Sequence, residues 1–235
     1  MKMFRYILSV PLLLNITLVV AILSVIIIDM YLKNMPEIVP WGNEFSEIYY
    51  RLCLSLFASY IFYFIVVHIK LERDKENVNV FISSKVFQII GEYKAQINAI
   101  KKEVNSEILD EYLNEIALEN MFQQINTQSK APLVLSNVGN TVNYANWMKY
   151  FSYHNVRIQT TIQKIFVHMP FLDSKLVSIL AHIDDCNHFT VVDLLSNMHL
   201  NQNMKSFAST FHGYSILCEE LEEYANIKLV KYKKT

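Results

Sequence analysis

The densest run of potential ligands in this chain is His182-Ile183-Asp184-Asp185-Cys186-Asn187-His188. Imidazole, thiolate and carboxylate are the donor types that transition metals favour. On a helix, His182 and Cys186 stand four residues apart and share a face, with His188 just beyond. A structural zinc site commonly draws four ligands from two spaced pairs. No second Cys/His pair sits at such a spacing, and His199 and His212 are isolated. The competing reading is a helix terminus, with Asp184, Asp185 and Asn187 forming a turn and Cys186 buried as a small hydrophobe. That reading is preferred here. No catalytic residue, metal or cofactor is assigned, and His182, Cys186 and His188 stand only as candidates for a metal-dependent enzyme.

Other chemistries lack their residues. An adjacent His-Asp pair of the phosphohydrolase kind is not met, because Ile183 separates His182 from Asp184. G-x-S-x-G, H-E-x-x-H and Glu-x-x-His are all absent. The four glycines, Gly42, Gly91, Gly139 and Gly213, lie too far apart for a phosphate-cradling loop. From Lys70 onward there are 17 Lys/Arg against 18 Asp/Glu. That balance argues against nucleic acid, which calls for a basic excess. The tail lysines Lys228, Lys231, Lys233 and Lys234 are locally basic; a tail that frays in solvent is the preferred reading, and a weak contact with anionic lipid is the functional alternative. Three cysteines, one of them inside an apolar run, do not make a disulfide framework. Trp147, Tyr150 and Phe151 share one helical face. Core packing is the preferred reading, and an exposed partner-binding patch is the alternative.

The elements that must position these residues begin with two apolar runs. The first, residues 7–28, holds no charge and is long enough to cross a bilayer. It exceeds a signal-peptide core and no cleavage site follows. The second is residues 52–69, preceded by Tyr49, Tyr50 and Arg51 as interfacial anchors. Asn15 inside the first run is expected to hydrogen-bond across to the second or to another protomer. Neither run carries an acid or base near its centre, which weighs against a proton relay. Lys2 and Arg5 precede the first run, and Lys70, Arg73, Lys75 and Lys85 follow the second. The positive-inside rule therefore puts both termini in the cytoplasm, with the connector from Asp29 to Ile48 outside.

Beyond residue 70 the pattern is helical. Val86, Ile89, Ile90, Tyr93, Ile97, Ile100 and Val104 make one apolar stripe over residues 72–105. Further helices are predicted over 107–125, 141–168, from Asp173, over 190–197, and from Asn203 to the end. In the last, Phe207, Phe211, Tyr214, Cys218, Leu221 and Ala225 alternate four and three apart. Residues 127–140 read as a loop. The fold class expected is an all-α membrane protein. A two-helix transmembrane hairpin (1–70) precedes a cytoplasmic bundle of five to six helices (71–235).

The stretch Ala58-Ser59-Tyr60-Ile61-Phe62-Tyr63, continuing through Ile65-Val66-Val67, resembles the second span of a loose group of uncharacterised bacterial two-span proteins. Asp185-Cys186-Asn187-His188-Phe189 and Ser206-Phe207-Ala208 are similar to that group too. The resemblance implies an inner-membrane location and this architecture, and no activity. The leading expectation is a membrane-anchored interaction, adaptor or sensor protein, partnered by the bilayer and by another protein or its own copies. The alternatives are an oligomerising effector that perturbs the bilayer, motivated by Asn15, Ser55, Ser59 and Tyr60, and the metal-dependent enzyme above.

Overall fold

A computed structural model describes residues 6–31, 41–139 and 141–232. Lys2, Arg5, Lys233, Lys234 and part of the connector from Asp29 to Ile48, which the sequence reading used, lie outside them. The described residues are mostly helical, with seven helices among them, and the chain divides into two compact units, Met1–Asn77 and Val78–Thr235.

The first unit holds helix α1, Leu12–Met30, and the first part of helix α2, which runs unbroken through Gly42–Glu103. Both are long and apolar enough to cross a membrane, and only 11% of each apolar window is buried within the protein. The first apolar run was expected to be one helix. Instead a turn at Ser9–Val10 and an extended Pro11 interrupt it, and α1 starts at Leu12. Proline has no N–H to continue the ladder and disfavours helical backbone before it. The Asn15 amide reaches back to two carbonyls at this break, Ile7 O at 3.2 Å and Val10 O at 3.5 Å.

Three side-chain bridges fix α1 antiparallel to α2. Ser24 Oγ meets Tyr49 Oη at 3.1 Å, the Tyr60 hydroxyl donates to Asn15 Oδ1 at 2.6 Å, and Ser9 Oγ meets His68 Nε2 at 2.9 Å. Each step down α1 is matched by a step up α2. Between bridges, small Ala21 and Cys53 are buried, which permits close helix approach. Residues Tyr63–His68 of α2 form a π-helical segment. The rings of Tyr60, Phe64 and His68 stack along it, with centroids 6.3 and 6.0 Å apart.

The second unit surrounds the remainder of α2. Its buried positions include Ile82, Val86, Ile89, Ile90, Tyr93, Ile97 and Ile100, the stripe expected from spacing. Asn105, at φ 51, follows the helix, a left-handed stop that asparagine tolerates. Helix was predicted over 107–125 but forms only as α3, Glu115–Phe122. Lys101 Nζ binds the Asp110 carbonyl at 2.5 Å, holding the chain extended there, and the Asn114 side chain caps the restart by accepting from Ala117 N.

Residues 127–146 overturn the all-α expectation. Strands β1, Lys130–Val138, and β2, Thr141–Asn146, form an antiparallel hairpin. Gly139 sits at φ +61 in its turn, a conformation glycine adopts without penalty. The expected loop is therefore β1, and the helix predicted from residue 141 begins six residues later. Helix α4 is Trp147–Phe166, capped by the Asn146 carboxamide accepting from Lys149 N at 2.9 Å. Helix α5, Ser174–Asp184, has the expected Asp173 cap. Helix α6 is Asn187–Leu195 and helix α7 is Ala208–Lys228. On α7 the four-three positions Phe211, Tyr214, Cys218, Leu221 and Ala225 are all buried.

The core is unusually aromatic. Phe211 lies within 6.1 Å, centroid to centroid, of Tyr93, Phe122, Phe151, His188 and Tyr214. Fully burying each such ring contributes roughly 1.5–3 kcal/mol, and this cluster ties α2, α3, α4, α6 and α7 together.

Candidate functional site

Three consecutive residues of α2, Glu92-Tyr93-Lys94, point in three directions because a helix turns about 100° per residue. Glu92 is tied to α4, while Tyr93 and Lys94 are each tied to Glu111 and to α7. Together they form a polar belt around α2 beside the aromatic core.

Glu92 faces α4 and is buried. One carboxylate oxygen meets His154 Nδ1 at 2.6 Å, and the other accepts from Arg157 Nε at 2.8 Å. His154 and Arg157 are three apart on α4, so one carboxylate spans both. A carboxylate only accepts, so the imidazole carries its proton on Nδ1. Burial pulls the His154 pKa below the usual value, and Arg157 adds to this, against the opposing pull of Glu92. The imidazole is then neutral at pH 7. Arg157 also receives support from the Tyr153 hydroxyl, 2.8 Å from Nη1, and the guanidinium lies over the same ring at 5.4 Å.

Tyr93 faces α7. Its hydroxyl donates to the Glu111 carbonyl at 2.8 Å and lies 2.7 Å from Ser215 Oγ on α7. Since the tyrosine proton goes to the carbonyl, the serine is the donor in the second contact. Burial raises the phenol's pKa well above normal. Lys94 reaches Glu222 at 2.7 Å and Glu111 at 2.6 Å, and the Tyr112 hydroxyl donates to the other Glu222 oxygen at 2.5 Å. Burial works against the charged Lys94, but these two carboxylates outweigh it and its pKa is raised. Nothing in the belt is an activated nucleophile. It fixes the rotation of α2 about its own axis, since turning the helix would break all three sets of bonds at once.

The residues singled out from sequence fall elsewhere. His182 is exposed on α5, while Cys186 and His188 are buried. Among the described residues no three His, Cys, Asp or Glu side chains converge to hold a metal ion. The proposed helical face does not exist, because the chain turns at Asp185 and Cys186 and His188 begins α6. His188 stacks on Tyr214, interplanar angle 8°, and meets the edges of Phe151 and Phe211. Neither ring nitrogen has a hydrogen-bond partner. Burial drops its pKa to about 3 and raises that of the Cys186 thiol to about 11. A neutral imidazole and an un-ionised thiol are packing groups here.

Trp147, Tyr150 and Phe151 are likewise corrected as candidates for a partner-facing patch. All three are buried, because their shared face is the one α4 turns to the aromatic core. Tyr150 Oη donates to the Ala95 carbonyl at 3.2 Å, beside the belt. Sequence reasoning passed over Glu92, His154 and Arg157. The His154–Arg157 spacing of three was legible, but Glu92 lies 62 residues from His154, and nothing local links them.

No family model, curated protein or solved structure matches this chain.

Proposed function

We propose that this chain is a membrane-anchored adaptor or sensor that presents its second unit at a bilayer surface. The observation that carries this reading is α2. One unbroken helix, Gly42–Glu103, holds an apolar window at one end and the belt residues Glu92, Tyr93 and Lys94 at the other. The charge asymmetry of the flanks supports a bacterial inner membrane with both termini cytoplasmic. The partner is another protein or further copies of this chain.

In-cell crosslinking of the full chain tests it. The expected products are crosslinks from residues 78–235 to a second protein or a second copy, recovered from membranes that resist alkaline washing. A strictly monomeric chain with no co-purifying protein overturns it. The oligomerising-effector reading gains no observation of its own. Asn15 and Tyr60, half of its motive, are bonded to each other within the helix pair.

A further inference from the structure

The second unit has one end at which α2 enters it. There Phe81 meets His168 edge-on at 5.2 Å, and Ser83 Oγ donates to the Leu229 carbonyl at 3.1 Å. These contacts bring three pieces of chain together: the first turns of α2 in this unit, the turn Met169–Phe171 after α4, and the turn Val230–Tyr232 after α7. Around them lie apolar side chains that the core does not cover. Val167 is 77% exposed, Met169 50% and Val230 51%.

Lysines ring these side chains. Lys164 stands one turn before His168, Lys228 and Lys231 flank Leu229, and Lys85 lies 5.9 Å from the Phe81 ring centroid. Lys164 and Lys228 occupy the last turns of α4 and α7, so part of their charge offsets the carbonyl ends of those helices. Lys231 lies in the last turn of Val230–Tyr232 and over the Tyr232 ring, 5.0 Å from its centroid, and Lys85 donates to Gln88 Oε1 at 3.0 Å. Asp173 adjoins the face but is engaged as the cap of α5, accepting from Lys175 N. The run Lys70–Glu76 alternates in sign and adds no net attraction.

We propose that this end of the unit, with Val167, Met169 and Val230 among Lys164, Lys228 and Lys231, docks on an anionic lipid surface. Apolar side chains enter the interfacial layer while the lysines meet the headgroups, the combination that gives peripheral lipid contact. Charge complementarity selects this occupant, because a neutral apolar partner would leave the lysines uncompensated. The inference rests on the membrane-anchored reading above.

The test uses the full chain with Val167→Cys carrying an environment-sensitive fluorophore. Cys53, Cys186 and Cys218 are buried, which directs labelling to position 167. The protein is placed in nanodiscs of phosphatidylcholine, alone or mixed with phosphatidylglycerol, and incorporation is read separately by co-elution. The expected result is a blue-shifted emission only with phosphatidylglycerol, reversed by salt because exposed charges are screened. Each lysine neutralised in K164Q, K228Q and K231Q should weaken that contact roughly fivefold. Salt reversal on the lysine-intact chain gives the same answer if the charge variants misfold. Identical emission in both lipids overturns the inference while leaving the anchor in place. A shift of equal size in both, the signature of neutral lipid or a second copy, overturns it as well. Failure to enter nanodiscs of either kind overturns the anchoring reading and this inference with it.

Discussion

The two units of this chain are built inside out relative to each other. In the first, polar side chains face inward and bridge α1 to α2, through Ser24–Tyr49, Asn15–Tyr60 and Ser9–His68, while large apolar side chains such as Leu12, Leu13 and Phe62 are exposed. In the second, Phe211, Tyr214 and Trp147 are buried and the charges lie mostly outside. Exceptions on α2 are Lys101 and the belt residue Glu92, which is buried against His154 and Arg157. Apolar burial drives folding in water. A helix pair that exposes its apolar residues is held by its few polar bonds and by close packing instead, the balance expected in lipid. The contrast teaches that α2 obeys two rules along one continuous backbone.

The comparison makes graded predictions. The largest effect should come from Phe211→Ala, which opens a cavity at the centre of the aromatic cluster. A loss of about 3–5 kcal/mol is expected, read as urea unfolding of the second unit in detergent, against less than about 0.5 kcal/mol for exposed Leu13→Ala. Equal losses for the two would break the contrast.

Next, Glu92→Ala leaves the His154 Nδ1–H buried without an acceptor. About 2 kcal/mol should be lost in the same assay. The cost stays moderate because the Arg157 side chain is 45% exposed and regains water. If the helix pair rather than the second unit melted first in this variant, the belt would not be what fixes α2.

The third prediction concerns acid. The pKa of His188 is depressed to about 3 in the folded protein, against about 6.5 when unfolded. Below pH 6.5 the unfolded chain binds a proton that the folded one does not. Stability should therefore fall as pH drops from 6.5 toward 3, by on the order of 1 kcal/mol per pH unit from this residue. His154, also lowered, adds in the same direction. Denaturation curves across that range for His188→Phe should lose the His188 part of the slope, and an unchanged slope would show that His188 is not the source.

The smallest effect is expected in the first unit. Asn15→Leu removes the acceptor of Tyr60 and the donor to Ile7 O, and should loosen the helix pair by about 0.6 kcal/mol per bond lost. Crosslinking efficiency between cysteines placed at positions 24 and 49 would report it. An effect as large as that of Phe211→Ala would mean that polar bonds dominate this unit.

Much of this was legible from local pattern. The α7 stripe could be read because each turn of a buried helix repeats the same demand for an apolar side chain. Asp173 could be read as a cap because its carboxylate satisfies a backbone N–H within its own turn. The β-hairpin was legible in principle. In the sequence, β-branched Val138 and Thr141 flank a Gly-Asn pair, and Val142 and Tyr144 alternate after it. Its many Asn and Ser residues read as loop, and β2 runs straight into the aromatic start of α4, which reads as helix.

Sequence by itself determined what lies one turn or one strand away: two helices long and apolar enough to cross a membrane, the inward stripes of α2 and α7, and the absence of familiar catalytic motifs. Tertiary structure alone decided which polar groups meet. Glu92 finds His154 and Arg157, Tyr93 finds Ser215, and His188 is enclosed by rings from α4 and α7, each across dozens of residues. Hydrogen bonds and ring contacts act over a few ångströms, so partners far apart in the chain become visible only when the fold has closed that distance.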